Sequence, residues 1–347
     1  MTFNPNSAAS EGSGIFGLPF SAKESALHLL QVPWEATTSY GSGAAKGPAA
    51  ILEASYQVDL CDHEVLRPYE PGIFLLPENK KIVAWNKQGK LAAQKIIAVG
   101  GNIGKNKALQ KNLALVNQLS AKVNEAVFEE SKKILDEGKI LGLIGGDHST
   151  PYGAICAISE QSPNLGILHF DAHSDTRNAY EGFKHSHASI MRNVLDTIPN
   201  VKKLVQVGIR DYCEEELDYT RAQKSRMEVF FDLDLAKRKF KGESFSEIAK
   251  DIVRALPQEV WISFDIDGLM PHFCPHTGTP VPGGLDYPEA VYLIGEVVRS
   301  GRNLVGFDLN EVAPGPKGDE WDANVGARLL YKLAAWTFAS KKLASLR

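Results

Sequence analysis

The chain has 347 residues, of which 44% are hydrophobic and 23% are charged, and its formal net charge is −4. This mild acidity argues against nucleic-acid binding, for which a basic face would be expected. No apolar stretch reaches membrane-spanning length, and the N-terminus lacks a basic region followed by an apolar core, so we expect no membrane partner. The four cysteines are scattered singly, which is typical of free thiols in a cytoplasmic protein.

The N-terminal part of the chain gives few clear signals. Residues 1–14 are rich in Ser, Gly and Asn and are predicted to be a flexible tail, followed by a single catalytic domain over 15–347. The elements predicted next are a short helix over 20–31, a helix over 48–54, a short strand over 93–99 and one or two helices over 105–137 that stop at Gly138.

After residue 139, apolar runs alternate with amphipathic stretches. The predicted strands are 140–144, 166–170, 204–208, 229–231, 260–264 and 304–307. The predicted helices are 152–159, 187–195, 214–221, 245–256, 287–300 and 321–341. Buried strands that alternate with amphipathic helices indicate an α/β fold with three α-β-α layers around a mostly parallel central sheet.

Ionisable residues follow four of these strands, at the edge where open α/β sheets bind ligands. The strand ending at 144 is followed by His148, and the strand ending at 264 by Asp265 and Asp267. The strand ending at 307 is followed by Asp308 and Glu311. The strand ending at 170 is followed by Asp171, His173 and Asp175, whose alternate spacing points them the same way.

Four carboxylates and two imidazoles are too many ligands for a closed tetrahedral zinc site. Oxygen-rich ligation with some imidazole suits manganese, with nickel, cobalt or zinc as alternatives. Six side chains can hold two metal ions if a carboxylate bridges them, and such a pair lowers the pKa of a shared water. The pattern therefore predicts a hydrolase with two divalent metal ions.

These residues resemble the ureohydrolase family, which includes arginases and agmatinases. The resemblance covers residues from about Pro33 to the C-terminus, with the motifs in the family's order. The motifs that carry it are Gly146-Asp147-His148-Ser149, Asp171-Ala172-His173-Ser174-Asp175, Ser263-Phe264-Asp265-Ile266-Asp267-Gly268, Thr277-Gly278-Thr279-Pro280 and Asn310-Glu311-Val312-Ala313-Pro314.

The resemblance implies a role for each matching residue. One metal ion would be held by His148, Asp171, Asp175 and Asp265, and the other by Asp171, His173, Asp265 and Asp267, with Asp171 and Asp265 bridging. His187 matches the family's proton-shuttling histidine, although spacing leaves His185 as a rival. Glu311 matches the carboxylate that binds the substrate's guanidinium, and Thr279 a hydroxyl of that pocket. A hydroxide between the metal ions would attack the guanidinium carbon, releasing urea and an amine.

The resemblance to an agmatinase is the starting point for the substrate, and two alternatives stay open. Residues 32–41 and 319–322 are similar to bacterial guanidine hydrolases, in which case Trp34 and Trp321 would narrow the pocket. Arg177 would favour a carboxylate-bearing guanidino acid, unless it simply pairs with Glu181. A metal-dependent deacetylase or a non-catalytic relative would not need all six ligands, His187 and Glu311. The family also implies a homo-oligomer, a trimer or a hexamer.

Overall fold

The computed structural model describes residues 3–9 and 12–347. The strands are β1 (Leu27–Val32), β2 (Val65–Leu66), β3 (Ile73–Leu75), β4 (Ile140–Gly145), β5 (Leu165–Phe170), β6 (Val201–Ile209), β7 (Met227–Phe231), β8 (Glu259–Asp265), β9 (Asn303–Asn310) and β10 (Ser345–Leu346). The α-helices are α1 (Gly47–Ser55), α2 (Lys80–Ile97), α3 (Lys107–Asp136), α4 (Tyr152–Gln161), α5 (Ile190–Thr197), α6 (Glu214–Gln223), α7 (Asp232–Phe240), α8 (Phe245–Arg254), α9 (Tyr287–Arg299) and α10 (Trp321–Ser340).

Two predictions about chain organisation stay untested. The predicted tail over 1–14 falls partly on Met1, Thr2, Ser10 and Glu11, which lie outside the described residues. The division into a tail and one domain over 15–347 therefore stays a prediction.

Among the helices described, none is both long enough and apolar enough to cross a membrane.

Eight of the strands form one parallel sheet in the order β3-β1-β4-β9-β8-β5-β6-β7. β2 and β10 form a separate antiparallel pair. β4 and β5 follow each other in the chain, yet β9 and β8 lie between them in the sheet. This reversal of strand order opens a crevice at the carboxyl edge of the four central strands, which is where such sheets bind ligands.

The two faces of the sheet are covered by separate sets of helices. One apolar cluster joins the sheet to α1, α8, α9 and α10, and the other joins it to α3, α4 and α5. In β1, Leu27 and Leu29 belong to the first cluster and Leu30 and Val32 to the second, as the two-residue period of a strand requires. The predicted three-layer α/β fold is confirmed.

Two predicted elements before residue 100 are wrong. The helix predicted over 20–31 is replaced by β1, a fully buried strand whose polar His28 and Gln31 bond to backbone carbonyls. The strand predicted over 93–99 is the last part of helix α2 and the turn after it. In both cases the apolar residues were too few for their spacing to separate a helix from a strand, and tertiary packing decided.

Candidate metal centre

The predicted metal ligands lie at the carboxyl ends of β4, β5 and β8, and the predicted substrate-binding Glu311 lies at that of β9. His148 follows β4, and Asp171 follows β5 directly. Asp265 is the last residue of β8, and Glu311 comes directly after β9. Because Asp265 pairs in register with Asn310, β8 and β9 end at the same level. The sheet therefore brings together residues that are up to 163 positions apart in the chain.

His148 lies at the centre of a first group of side chains. Its Nδ1 is 3.1 Å from Oδ2 of Asp171 and 3.1 Å from Oδ2 of Asp265. Oδ2 of Asp175 lies 3.6 Å from the same nitrogen. All four side chains are buried. An imidazole nitrogen that faces three carboxylate oxygens is a donor set suited to one divalent cation.

A second group lies on the other side of Asp171. Nδ1 of His173 is 3.4 Å from Oδ1 of Asp171 and 3.1 Å from Oδ2 of Asp267. Asp171 thus presents one oxygen to each group, as a bridging ligand would. Asp265 differs, because the ion pairs of His173 among the described residues are with Asp171 and Asp267 and not with Asp265. Its Oδ1 accepts a hydrogen bond of 2.9 Å from the backbone N–H of Asp267. The bridging role predicted for Asp265 stays a prediction.

The side chains of this centre carry more negative charge than they can neutralise among themselves. Burial and the neighbouring Asp171 raise the pKa of Asp175 well above the usual carboxyl range. Burial, Asp267 and Asp171 do the same to Asp265. Divalent cations would remove this cost, because they neutralise carboxylates that would otherwise have to take up protons. Four carboxylates and two imidazoles fit two such ions.

Sequence analysis missed His169, which is buried on β5 two residues before Asp171. Its Nε2 lies 2.9 Å from Oδ2 of Asp171, and its Nδ1 lies 2.8 Å from Nε2 of Gln206. The Gln206 amide donates to Nδ1, so Nε2 carries the proton and donates to Asp171. A ring nitrogen of His169 lies within 4.8 Å of ligand atoms of His148, Asp171 and Asp175, but both ring nitrogens are engaged. The two-residue spacing was a usable signal, because it places His169 and Asp171 on one face of the strand.

A cavity of about 160 Å³ opens onto the centre. Its lining residues are Ser39, His148, His173, Asp175, Arg177, Tyr180, His187, Ala188, Asp211, Glu216, Asp265, Thr279 and Glu311. A larger cavity of about 610 Å³, beside the N-terminal segment, shares none of these residues and has Asp59 as the one ionisable carboxylate among its described lining residues. We place the functional site in the smaller cavity, where ionisable groups converge.

Glu311 reaches this cavity with one oxygen free. Its backbone is left-handed, with φ of 62°, a conformation that costs a non-glycine residue free energy and is common at functional sites. Oε1 accepts a hydrogen bond of 3.0 Å from the backbone N–H of His148. Oε2 is buried and has no hydrogen-bond partner. Burial and the carboxylates of Asp265 and Asp147 raise the pKa of Glu311 well above its usual range, so the site favours a cationic partner.

The two candidate histidines are placed differently. His187 lines the cavity, and its Nδ1 lies 3.5 Å from the hydroxyl of Thr37, which also bonds Asp147. His185 is not among the lining residues and packs its ring against Tyr152 at 5.5 Å. Burial, with the neighbouring imidazole of His173, lowers the pKa of His187 to about 4, so its ring is neutral at pH 7. The geometry favours His187 over His185.

Thr279 and Arg177 also line the cavity, as predicted for substrate-binding residues. The Thr279 hydroxyl is 3.3 Å from Oδ2 of Asp267. Arg177 pairs with Glu216, with Nε 3.6 Å from Oε2, and lies over the ring of Tyr180. The suggested pairing with Glu181 is wrong. Sequence analysis did not single out Ser39, Tyr180, Asp211 or Glu216 as lining residues, because each lies on a loop or at a helix start and belongs to none of the five motifs.

The expectation that Trp34 and Trp321 narrow the pocket is wrong. Neither residue lines the cavity. Trp34 is 1% exposed and packs in the apolar cluster of α3 and α4, where Gly89 of α2 leaves room for its indole. Trp321 is 46% exposed, and its Nε1 donates to the backbone carbonyl of His272. The indole of Trp34 is therefore a core residue.

Trp34→Ala is expected to lower the free energy of unfolding by about 3–5 kcal/mol, the range for an aromatic side chain removed from a core. Trp321→Ala is the matched control and should cost about 1 kcal/mol, because it removes little more than one hydrogen bond. Urea denaturation of the two variants checks this. Equal losses of stability would show that Trp34 is not a core residue.

The chain is similar to known proteins in both sequence and fold. A sequence model described as the arginase family matches residues 25–335. The N(1)-aminopropylagmatine ureohydrolase of Synechocystis sp. is 29% identical over 326 residues, covering 93% of this chain and 92% of the relative. An agmatinase of Bacillus anthracis is 29% identical over 294 residues, covering 85% and 86%. Proclavaminate amidino hydrolase from Streptomyces clavuligerus has the same fold, with a TM-score of 0.72, 23% identity and coverage of 96% and 99%.

Proposed function

Because the chain belongs to the arginase family, we propose that it hydrolyses a small guanidino compound to urea and an amine, as an agmatinase does. The observation that carries this proposal is the unpartnered Oε2 of Glu311 in a cavity that opens onto the metal-ligand groups. A deacetylase or a non-catalytic relative would have no use for this combination of a free carboxylate oxygen, six metal ligands and His187.

Two metal ions are part of the proposal. His148, Asp171, Asp175 and Asp265 would hold one ion, and Asp171, His173, Asp265 and Asp267 the other. We propose manganese, with nickel as the alternative that the same donors accept. When bound, the pair would lower the pKa of a water molecule towards neutrality and so supply the nucleophile.

Glu311 would bind the guanidinium group of the substrate. Its free Oε2 accepts an N–H, and the resulting charge pair offsets the cost of a buried carboxylate. The hydroxyl of Thr279 lines the same cavity and can accept a second N–H. Held in this way, the planar guanidinium carbon faces the metal-ligand groups, which fixes the direction of attack.

His187 would move the proton that the reaction requires. The ring is neutral at pH 7, so it can accept a proton from the attacking water and pass it to the leaving nitrogen. Thr37 lies 3.5 Å from Nδ1 and leaves the other ring nitrogen to the cavity. Without this proton the amine would have to leave as an anion.

For the substrate we propose a linear guanidino compound with a cationic tail, such as agmatine. Two carboxylates outside the metal-ligand groups, Asp211 and Glu216, line the cavity, against the single cation of Arg177. Arg177 is already paired with Glu216, whereas Asp211 is exposed. A guanidino acid is the second candidate, because Arg177 would attract its carboxylate. Free guanidine is less favoured as the substrate, because neither Trp34 nor Trp321 lines the cavity and narrows it.

The proposal is tested by urea release from purified protein loaded separately with manganese and with nickel. The compounds are agmatine, N(1)-aminopropylagmatine, arginine, guanidinobutyrate, guanidinopropionate and guanidine. We expect preference for agmatine and N(1)-aminopropylagmatine. Preference for the guanidino acids would indicate that Arg177 determines which substrate is bound. No urea from any compound, with two metal ions bound per chain, would contradict the proposed reaction.

Glu311→Gln is expected to lower kcat/KM about a hundred-fold or more, because truncating a buried charge pair costs about 2–5 kcal/mol. The amide keeps the shape of the side chain and removes the charge that binds guanidinium. Asp211→Asn makes the same change at an exposed position of the cavity and should cost far less. Equal effects of the two variants would assign the loss to general electrostatics of the cavity.

The proposal includes a cytoplasmic location and a homo-oligomeric assembly. The four cysteines are free thiols, in keeping with a cytoplasmic location. A homo-oligomer, as a trimer or hexamer, is the assembly that the family resemblance implies.

A further inference from the structure

Behind His148, two neighbouring strands carry polar side chains into the core. Trp261, Ser263 and Asp265 alternate along β8 and therefore share one face. Asp308 on β9 is the register partner of Ser263. Ser263 and Asp308 are both fully buried. Asp308 was grouped with the strand-end residues in the sequence analysis, but β9 continues to Asn310, so Asp308 lies one layer beneath the centre.

These side chains form a directed series of hydrogen bonds. His148 has Nδ1 towards the carboxylates, and its Nε2 lies 2.9 Å from the hydroxyl of Ser263. The Ser263 hydroxyl in turn donates to Oδ1 of Asp308 at 2.9 Å. Nε2 of His148 must therefore carry the proton, which leaves the lone pair of Nδ1 free for a metal ion.

Asp308 is held by donors on both oxygens. The indole N–H of Trp261 and the amide of Asn310 donate to it, in addition to Ser263. Among the ion pairs of the described residues, none joins Asp308 to lysine or arginine, and its one titratable partner is the ring of His148, with Nε2 3.7 Å from Oδ1. A buried carboxylate without a cation is costly, and a cation bound at Nδ1 of His148 would offset that cost through the ring.

We infer that Ser263 and Asp308 are positioning residues for a metal ion at His148: they fix its tautomer and increase the electron density that Nδ1 offers. The inference rests on the proposed metal centre but not on the substrate. Partners of this kind, behind a metal-bound histidine, typically change metal affinity by about ten- to hundred-fold. If Ser263 and Asp308 served only to satisfy each other's hydrogen bonds, replacing them would leave the metal affinity of the chain unchanged.

The test is manganese binding by the chelator-treated full chain, measured by competition with a fluorescent chelator. Ser263→Ala breaks the link to His148 and leaves Asp308 bonded to Trp261 and Asn310. Asp308→Asn removes the charge, and the double variant measures coupling. Ser120→Ala, a buried serine of α3 whose hydroxyl bonds the Val116 carbonyl, is the matched control. The absorption spectrum of each cobalt-loaded variant reports the ligand geometry independently of stability.

Ser263→Ala and Asp308→Asn are each expected to weaken manganese binding by about ten-fold or more and to change the cobalt spectrum. The double variant should bind no more weakly than the worse single variant, because both act through one series of bonds. Unchanged affinity and spectrum in a folded Ser263→Ala would overturn the inference, whatever Asp308→Asn does. Weakened binding in a chain that releases no urea would uphold it while the proposed reaction fails.

Discussion

Asp171→Ala is expected to remove both metal ions and to lower urea release on the order of 10⁴-fold. Asp171 presents one oxygen to the group of His148 and the other to the group of His173, so its loss opens both sites at once. Metal content by elemental analysis, together with urea release, measures the effect. Thermal unfolding of the metal-free variant checks that the chain still folds.

Two aspartates that line the cavity, Asp175 and Asp211, serve as controls for Asp171. Among the ion pairs of the described residues, Asp175 takes part in one, with His148, so Asp175→Ala should retain close to one metal ion per chain. Asp211 lines the cavity outside both groups, so Asp211→Ala should retain two. The graded series of none, one and two ions is specific to a bridging Asp171. Two ions retained in Asp171→Ala would show that the ligand assignment is wrong.

His187→Ala is expected to keep both metal ions and to lower kcat by about 10²–10⁴-fold, the usual contribution of a general acid or base. The residue lines the cavity, and the ligand groups defined by distance do not include it. KM should change little, because Glu311 and Thr279 bind the guanidinium. Steady-state kinetics and elemental analysis on the same preparation provide both measurements.

His185→Ala is the matched control for His187, two residues away and with the same side chain. His185 packs against Tyr152 and does not line the cavity, so this variant should turn over at close to the wild-type rate. A slow His185→Ala beside a normal His187→Ala would reverse the assignment. Loss of metal from His187→Ala would make His187 a ligand instead of a proton carrier.

Apart from helix α7, which was missed, the elements after residue 139 could be predicted because the strands are short apolar runs with clear breaks. The order of the strands could not, because nothing local indicates that β8 and β9 lie between β4 and β5. The elements before residue 139 were harder to predict. β1 contains His28 and Gln31, whose polar groups are satisfied by backbone carbonyls that only the folded chain provides. These two polar residues obscured the strand pattern of β1 in the sequence.

The site could be predicted to the extent that its residues occur in motifs. The six ligand candidates, His187, Glu311, Thr279 and Arg177 all meet at one cavity or its floor, although their roles stay proposals. The roles of the buried polar residues behind the ligands were missed, although the two-residue spacing of His169 and Asp171 was a usable signal. His169 and Ser263 lie inside apolar runs, where a single polar residue does not by itself indicate a function. Only the packing of β5 against β6 and of β8 against β9 gives them partners.

The strand order also sets when the centre can assemble. β8 and β9, the last two strands of the sheet to be synthesised, fill its middle, while β4 and β5 end at Gly145 and Phe170, long before β8 begins at Glu259. Until residue 310 has left the ribosome, β9 and β8 cannot connect β4 to β5, and the sheet does not yet hold His148 and Asp171 close together. Metal capture therefore comes at the end of folding, and the nascent chain exposes two open sheet edges until then.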